Sequence, residues 1–577
     1  MNRVILMALL LPVMATGQTM KNPVAAQVPA ANMPGDVIIT EIMADPLPEV
    51  SLPGKEYLEL RNRSGHTVNL KGWSLSTPTQ KLTFAQKEIP PGEYIIVCSV
   101  TDTSLFGKYG RTVGLKSFTI LTNEGKAVAL HDSEGRFIHG IEYHISWYGS
   151  ELKSEGGWSL EMIDTDYPFS GRNNWKASVS KKGGTPGSAN SVAARNPDLD
   201  FEGITNVFAG DSACVYLTLS ETIPDLTKES GRFTIDSDGI AEIHLNDLLF
   251  MNFRIIPSVP LRRSKVFTLG ISDASDFTGN RIRRKSFRFG LAEKAQKGDV
   301  IFNELLFNPL PGGADYIELY NCSERIIDVS RLLVVSVNDA TGDTSSFVQV
   351  SPHNRCLLPG KYYAITTERE QVLQSYPSSD PESIFDVTSL PSMPDDKGHL
   401  LLLNRELELI DEVYYDEKMH YPLLSVNEGV ALEKVRPDLL SSDRSGWHSA
   451  SENTGWGTPG ATNSITAEYD SMNNPEVKFS STKISPDNDG FEDVLVIDMV
   501  LEGLGNVMSA MVFDETGGFV RKLAGNMLCG SGLHLVWDGT ADDGNIVPSG
   551  IYIVLITGFN DSGKMYRWKK ACSVLRY

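Results

Sequence analysis

The segment Gly35-Asp-Val-Ile-Ile-Thr-Glu-Ile-Met-Ala-Asp-Pro-Leu-Pro48 returns as Gly298-Asp-Val-Ile-Phe-Asn-Glu-Leu-Leu-Phe-Asn-Pro-Leu-Pro311, an offset of 298 − 35 = 263 residues. The following stretch repeats as well: Lys55-Glu-Tyr-Leu-Glu-Leu-Arg-Asn62 corresponds to Ala314-Asp-Tyr-Ile-Glu-Leu-Tyr-Asn321. Each copy closes alike, on Trp175 then Gly184-Thr-Pro-Gly187, and on Trp447 then Gly457-Thr-Pro-Gly460. A repeat this long is a whole domain used twice, since solenoid units run to roughly 20–50 residues. Binding and spacer modules are duplicated far more readily than intact catalytic sites.

The strand signals are short runs rich in β-branched and aromatic residues, such as Tyr57–Leu60, Tyr94–Cys98 and Ile551–Ile556, bounded by Gly, Pro, Asn and Asp. Few segments hold a helical period for ten residues, and Glu370–Tyr376 is the best short candidate. The expected class is all-β, a multidomain array of immunoglobulin-like β-sandwiches. In Tyr57-Leu-Glu-Leu-Arg61 the period of two sends Leu58 and Leu60 to one face, and Tyr57, Glu59 and Arg61 to the other. Glu59 and its counterpart Glu318 are therefore expected as solvated or paired face residues rather than catalytic carboxylates.

The organisation reads as residues 1–17 signal peptide, 18–34 linker, 35–192 first repeat and 193–297 a separate sandwich. The second repeat follows at 298–465, a linker at 466–474 and a final domain at 475–577. The signal reading rests on Arg3, the apolar run Val4–Met14 and the small residues Ala15-Thr-Gly17. That run is too short to span a bilayer, and no later stretch is long enough. A secreted or cell-surface protein, associated with the outer membrane, is expected. The formal charge of −21 disfavours nucleic acid, because phosphate neutralisation requires basic residues.

The repeated unit resembles the lamin tail domain. The resemblance is carried by G-D-V-I-x-x-E, by E-Y-L-E-L-R-N or D-Y-I-E-L-Y-N, by Pro91-Gly-Glu-Tyr94 or Pro359-Gly-Lys-Tyr362, and by the closing G-T-P-G-x-x-N ending at Asn190 or Asn463. The second copy departs at Arg331–Val334, where Gly72-Trp73 has no counterpart. The last domain is similar to the immunoglobulin-like domain of flagellar hook-cap type, and to C-terminal domains of exported Bacteroidota proteins. The residues are Ile484-Ser-Pro-Asp-Asn-Asp-Gly-Phe-Glu-Asp493, Trp537-Asp-Gly539 and Val547-Pro-Ser-Gly-Ile-Tyr552. That resemblance implies a sorting or anchoring role, as in type IX secretion. The middle segment is loosely similar to bacterial immunoglobulin-like modules through Asp276-Phe-Thr-Gly-Asn280.

Asp487, Asp489, Glu492 and Asp493 crowd a glycine turn and could hold calcium through hard oxygen ligands. Asp-Gly turn chemistry accounts for the same residues without a metal, and no other cofactor is expected. Export permits disulfides, with Cys322–Cys356 and Cys529–Cys572 as candidate pairs, while Cys98 reads as a buried hydrophobe. His131, His139 and His144 lack a metal-site spacing, and no H-E-x-x-H, G-x-S-x-G or Walker pattern occurs. Ser159 follows Trp158 but meets Ala431 or Leu432 in the other copy, which argues against a nucleophile. Tyr143, Trp147 and Tyr148, and Tyr414, Tyr415 and Tyr421, are either core or platforms for sugars or proteins.

No acid, base or metal set repeated by both copies is evident. The expectation is a non-enzymatic binding or structural protein whose partner is a cell-envelope protein or glycan. The alternative is an accessory binding module of an extracellular hydrolase or nuclease system.

Overall fold

The computed structural model describes residues 32–338, 340–466 and 475–576; the signal segment and most of the 466–474 linker lie outside them. The chain is all-β and groups into two compact units, Met1–Pro197 and Asp198–Tyr577.

In the first unit, one sheet runs in the order Trp175–Ala177, Leu160–Met162, Val37–Met43, Tyr57–Asn62, Tyr94–Ser99, Thr112–Leu115. A second sheet carries Phe137–His144, Gly125–His131, Ser74–Ser76 and Lys81–Thr83. Leu58, Leu60, Trp73, Leu75 and Val128 fill the space between them.

The residues of the second repeat, within the second unit, reproduce this strand for strand. Its larger sheet runs Trp447–Ser449, Leu432–Lys434, Val300–Leu306, Tyr316–Asn321, Tyr362–Thr366, Ile384–Asp386. The smaller runs Leu409–Asp416, Lys397–Asn404, Leu332–Ser336, Val348–Gln349. In both repeats the last pair of the larger sheet is parallel. The expected short helix is present as Arg369–Ser375.

The opening strand carries a β-bulge at the same place in each copy, between Ile39 and Glu41 and between Phe302 and Glu304. The extra residue breaks the period of two. Ile39 faces Leu60 and Ile42 faces Leu58, so both reach the core although three positions separate them. Glu41 is thereby turned to the opposite face, beside Glu59.

That opposite face is not solvated. In the first repeat Met43, Leu52, Tyr57, Ile96, Cys98 and Phe106 form a second buried cluster. Leu306, Tyr316, Val372, Tyr376 and Ile384 do so in the second. Each repeat therefore has a third layer, made of a short helix and the closing loop, over the outer face of its larger sheet. Glu59 and Glu318, expected as solvated or paired face residues, are fully buried (0 % exposed) and hydrogen-bonded.

Between the repeats, eight strands enclose Phe201, Phe233, Phe253 and Phe289 in one core. This sandwich joins the second repeat through backbone bonds from Glu293 N to Ile326 O (2.8 Å) and from Asp328 N to Glu293 O (2.9 Å). The final domain packs a three-stranded against a five-stranded sheet around Trp537, Tyr552 and Val554. Tyr421 of the second repeat meets Val507 and Leu528 of the final domain in a small apolar cluster.

The disulfide expectations are corrected. All six cysteines are free thiols. Cys529 and Cys572 lie on strands Phe519–Cys529 and Met565–Val574, separated in the sheet by Asn506–Asp514 and Gly550–Phe559. Three strand spacings of about 4.8 Å put the two strands about 14 Å apart, and register sets Cys529 level with Asn506 but Cys572 level with Asp514, at the other end of that strand; a disulfide needs Cα atoms within about 7 Å. Cys322 Sγ instead donates to Gly298 O (3.0 Å), and Cys356 Sγ to Gly290 O (3.6 Å). Denatured, unreduced protein should react with a thiol reagent at all six positions; a mass spectrum showing four or fewer labels would restore a disulfide.

Candidate functional site

The bulge and the strand register create a row of three glutamates across adjacent strands. Glu41 stands directly opposite Glu59 on one side and Glu161 on the other. In the second repeat Glu304 stands opposite Glu318 and Glu433. All six are 0 % exposed. Like charges directly opposite each other on a sheet repel, and burial penalises each charge further. Two things keep the row in place: hydrogen-bond donors from the closing loop, and retained protons.

The donors are the same in both copies. Thr185 N and Thr458 N donate to Glu41 and Glu304 (2.8 and 2.9 Å), and their hydroxyls donate to Glu161 and Glu433 (2.9 and 2.8 Å). Gly187 N and Gly460 N donate to Glu59 and Glu318. Ser191 and Ser464 donate through their hydroxyls to Glu161 and Glu433 (2.7 and 2.8 Å). From the sheet itself, the hydroxyls of Tyr57 and Tyr316 donate to Glu41 and Glu304, each at 2.6 Å.

The G-T-P-G-x-x-N motif is thus explained residue by residue. Its Thr and second Gly present donors to the glutamates. At Gly187 φ is +81°, and a Cβ there would lie 2.3 Å from the Tyr109 carbonyl oxygen, so only glycine fits. Its Asn donates to carbonyls on both neighbouring strands, Asn190 to Thr40 O and Met162 O (2.9 and 2.8 Å), with Asn463 reaching Asn303 O and Lys434 O (3.3 and 2.8 Å). Thr40 and Asn303 are the bulge residues, and their side chains donate to Glu59 and Glu318.

Protonation supplies the rest. Burial, and next the charge of Glu161, pushes the Glu41 carboxyl up to about 7 against the donors of Ser159, Tyr57 and Thr185. Those three donors all use Oε1, and Glu41 Oε2 is buried without a hydrogen-bond partner. Oε2 is therefore the oxygen on which a charge finds no donor. Burial and Glu433 push Glu304 up to about 8. Burial, with Glu41 or Glu304 second, holds Glu59 and Glu318 well above the usual carboxylate range. Ser159 belongs to this frame as a donor to Glu41 (2.6 Å), and register places Ala431 in its slot.

Both copies thus carry an acid set that reading along the strands does not show. Its oxygens face the protein's own loop, and the row has no opening to solvent. The signal was the glutamate ending G-D-V-I-x-x-E, present at Glu41 and Glu304; only the bulge and the returning loop give it meaning.

The acidic turn of the last domain is partly corrected. Asp487, Asp489 and Asp493 bring carboxylate oxygens within 4.8 Å of one another, but Glu492 stands apart, paired with Lys483 (3.2 Å). The three aspartates accept turn N–H groups: Asp487 from Asp489, Asp489 from Phe491, and Asp493 from Asn488 and Gly490. This is the ordinary role of Asp in a turn.

Among the aromatics, Tyr143, Tyr148, Tyr415 and Tyr421 are buried. Tyr414 is exposed and stacks on His399, ring centroids 3.9 Å apart. It borders a cleft of about 880 Å3 in the second repeat, together with Asn338, Asp396, Asp416 and Arg444. Asp416 pairs with Arg444 at 2.7 Å, and His399 meets Glu412 at 2.8 Å. The cleft's wall includes Val337, Asn338, Ala340 and Asp343, from the segment that follows strand Leu332–Ser336. In the first repeat a tight turn, residues 77–80, closed by Thr77 N to Gln80 O (2.8 Å), replaces it.

Residues 30–144 match the model of the Lamin Tail Domain. The matched residues contain Glu41 and Glu59, while the closing loop that covers them lies beyond the match. No curated protein sequence matches the chain. Among solved structures, FlgD from P. aeruginosa is 21 % identical over 17 % of this chain and 72 % of that one, with a TM-score of 0.13. A DUF4876 family protein from Bacteroides thetaiotaomicron is 11 % identical over 35 % and 81 %, TM-score 0.18. A tetra-tandem repeat from the extending region of a large adhesion protein is 8 % identical over 93 % and 99 %, TM-score 0.13. Likenesses at this level say nothing of function. Among the described residues no helix is long and apolar enough to cross a membrane.

Proposed function

We propose that the chain is an exported, non-enzymatic protein of the cell surface that binds an envelope protein or glycan, and spaces it from the surface. In this reading the second repeat is also a lamin tail domain, and the final domain serves sorting or anchoring. The observation that carries the reading is the contrast between the two repeats. They share the buried glutamate frame, which their own closing loops consume, and differ at the cleft beside Tyr414. An aromatic face beside charged and amide groups, in a cleft of several hundred Å3, suits a polar ligand with an apolar face.

Glycan arrays and pull-downs from envelope fractions, run with wild type and Tyr414→Ala, test this directly. Loss of the aromatic face should weaken capture about tenfold, or ~1.4 kcal/mol. Capture unaffected by the substitution, or robust hydrolytic activity of the purified protein, would sink the reading. Surface proteolysis of intact cells with and without residues 475–577 tests sorting: the truncated protein should be retained inside, and unchanged display would reject the role.

A further inference from the structure

The middle sandwich holds a second cluster of carboxylates, set apart from the glutamate rows and from the acidic turn. Asp198 precedes strand Phe201–Asp211, Glu221 follows Cys214–Leu219, and Asp276 precedes Ile282–Arg284. Phe201 pairs with Ile282 and Ile204 with Leu219, so the three residues meet at one end of the sandwich. Their carboxylate oxygens lie within 4.8 Å of one another.

Asp276 has a structural role already. Its Oδ1 accepts from the backbone N–H groups of Thr278, Gly279 and Asn280 at 2.7–2.8 Å, and Asn280 Nδ2 binds its Oδ2 (2.8 Å). That accounts for the D-x-T-G-N turn but not for Glu221. Glu221 is 7 % exposed, and its Oε2 is buried with no hydrogen-bond partner, although the side chain is aimed at two other acids. Among the described residues the charges acting on it are Asp198, Asp276 and Asp200, all negative, and Asp200 is paired with Arg283 at 2.8 Å. A buried acid facing further acids, without a donor, needs a positive charge or a proton.

The geometry points to a divalent-cation site formed by Asp198, Glu221 and Asp276, with calcium the cation it suits. All the donors are hard oxygens, with no imidazole or thiolate among them, which disfavours zinc and copper. Three carboxylates on three separate segments leave a flexible cage completed by carbonyls or water, as calcium accepts and magnesium does not. The Asp198 carbonyl, 3.3 Å from Asn280 Nδ2, lies at the same locus. Without the cation Glu221 keeps a proton: burial, then Asp198 and Asp276, pushes its carboxyl up to about 9. Calcium would displace that proton and tie the chain entering the sandwich at Asp198 to the two loops beside it. The inference is independent of the ligand-binding reading above.

Calorimetric titration of the full chain with calcium chloride, after chelator treatment, tests it, using Glu221→Gln, Asp198→Asn and the double variant Asp489→Asn/Asp493→Asn. Wild type should bind calcium with a Kd of about 10⁻⁵–10⁻³ M and release protons on binding. Glu221→Gln and Asp198→Asn should each weaken binding at least about tenfold, and the double variant should leave it unchanged. Glu221→Gln keeps the size of the side chain and the neutral state it has without the cation, so its melting temperature without calcium should match that of wild type. Absence of calcium binding up to about 10⁻³ M overturns the site. So does binding that survives both single substitutions, or that disappears in the double variant.

Discussion

Replacing Glu41 by Ala should destabilise the first repeat by about 3–5 kcal/mol, among the largest effects available to a single substitution. The change leaves Tyr57 Oη, Ser159 Oγ and Thr185 N without their buried acceptor, at about 1–3 kcal/mol for each orphaned donor. It also opens a cavity beneath the closing loop. The melting temperature of this unit should fall by roughly 10 °C, at about 2–4 °C per kcal/mol, as read by scanning calorimetry. Glu41→Gln is the control, because the amide oxygen still accepts from the three donors of Oε1 and an NH₂ group takes the place of the unpartnered Oε2. It should cost less than about 1 kcal/mol at neutral pH. Equal losses in the two variants would mean that a neutral isosteric acceptor cannot replace the carboxyl and that the frame is wrongly described.

The second large effect is on pH dependence, and Glu304 shows it best. Its folded value of about 8 lies above the ordinary 4.5. Between those values the folded state holds a proton that the unfolded state has released, so folding is favoured by acid over that window. The contribution is complete below about 4.5 and is lost as pH rises through about 8. From pH 5.5 to 8.5 the loss should be about 3 kcal/mol, at 1.36 kcal/mol per pH unit. His139 and His420 work in the opposite sense. Both are held near 4, chiefly by burial, so each favours folding above about 6.5 and costs stability as pH falls towards 4. The raw profile mixes these trends. The difference between wild type and Glu304→Gln isolates the glutamate, and denaturant titrations at the two pH values should show that difference changing by about 3 kcal/mol. A difference constant with pH would contradict a protonated Glu304.

The strands were legible in the sequence because one face of each is apolar at period two. Leu58 and Leu60 lie in the core as the alternation requires, with Glu59 on the other face. What covers that other face was not legible. The cover on Glu59 is Gly187, 128 residues further along the chain, and no local pattern reports a contact so distant. The bulge compounded the difficulty, because strict alternation through Ile39 and Glu41 puts both on one face, whereas the register separates them. The same limit hid Glu221. Its turn partner Asp276 stands in a recognisable D-x-T-G-N segment, yet Glu221 itself sits among ordinary loop residues. The paired-cysteine expectation failed for a related reason, since shared domain membership says nothing of how many strands intervene between Cys529 and Cys572.

The glutamate frame makes the duplicated motifs intelligible as architecture and moves the search for function to the places where the repeats differ. The most direct test is a carbon-13 NMR titration of glutamate side-chain carboxyls in wild type, Glu41→Gln and Glu304→Gln. Resonances with midpoints near 7 and 8 should be present in wild type, and one should vanish in each variant. If every glutamate instead titrates close to the ordinary value of about 4.3, the carboxyls carry full charge at neutral pH and the protonated frame does not exist.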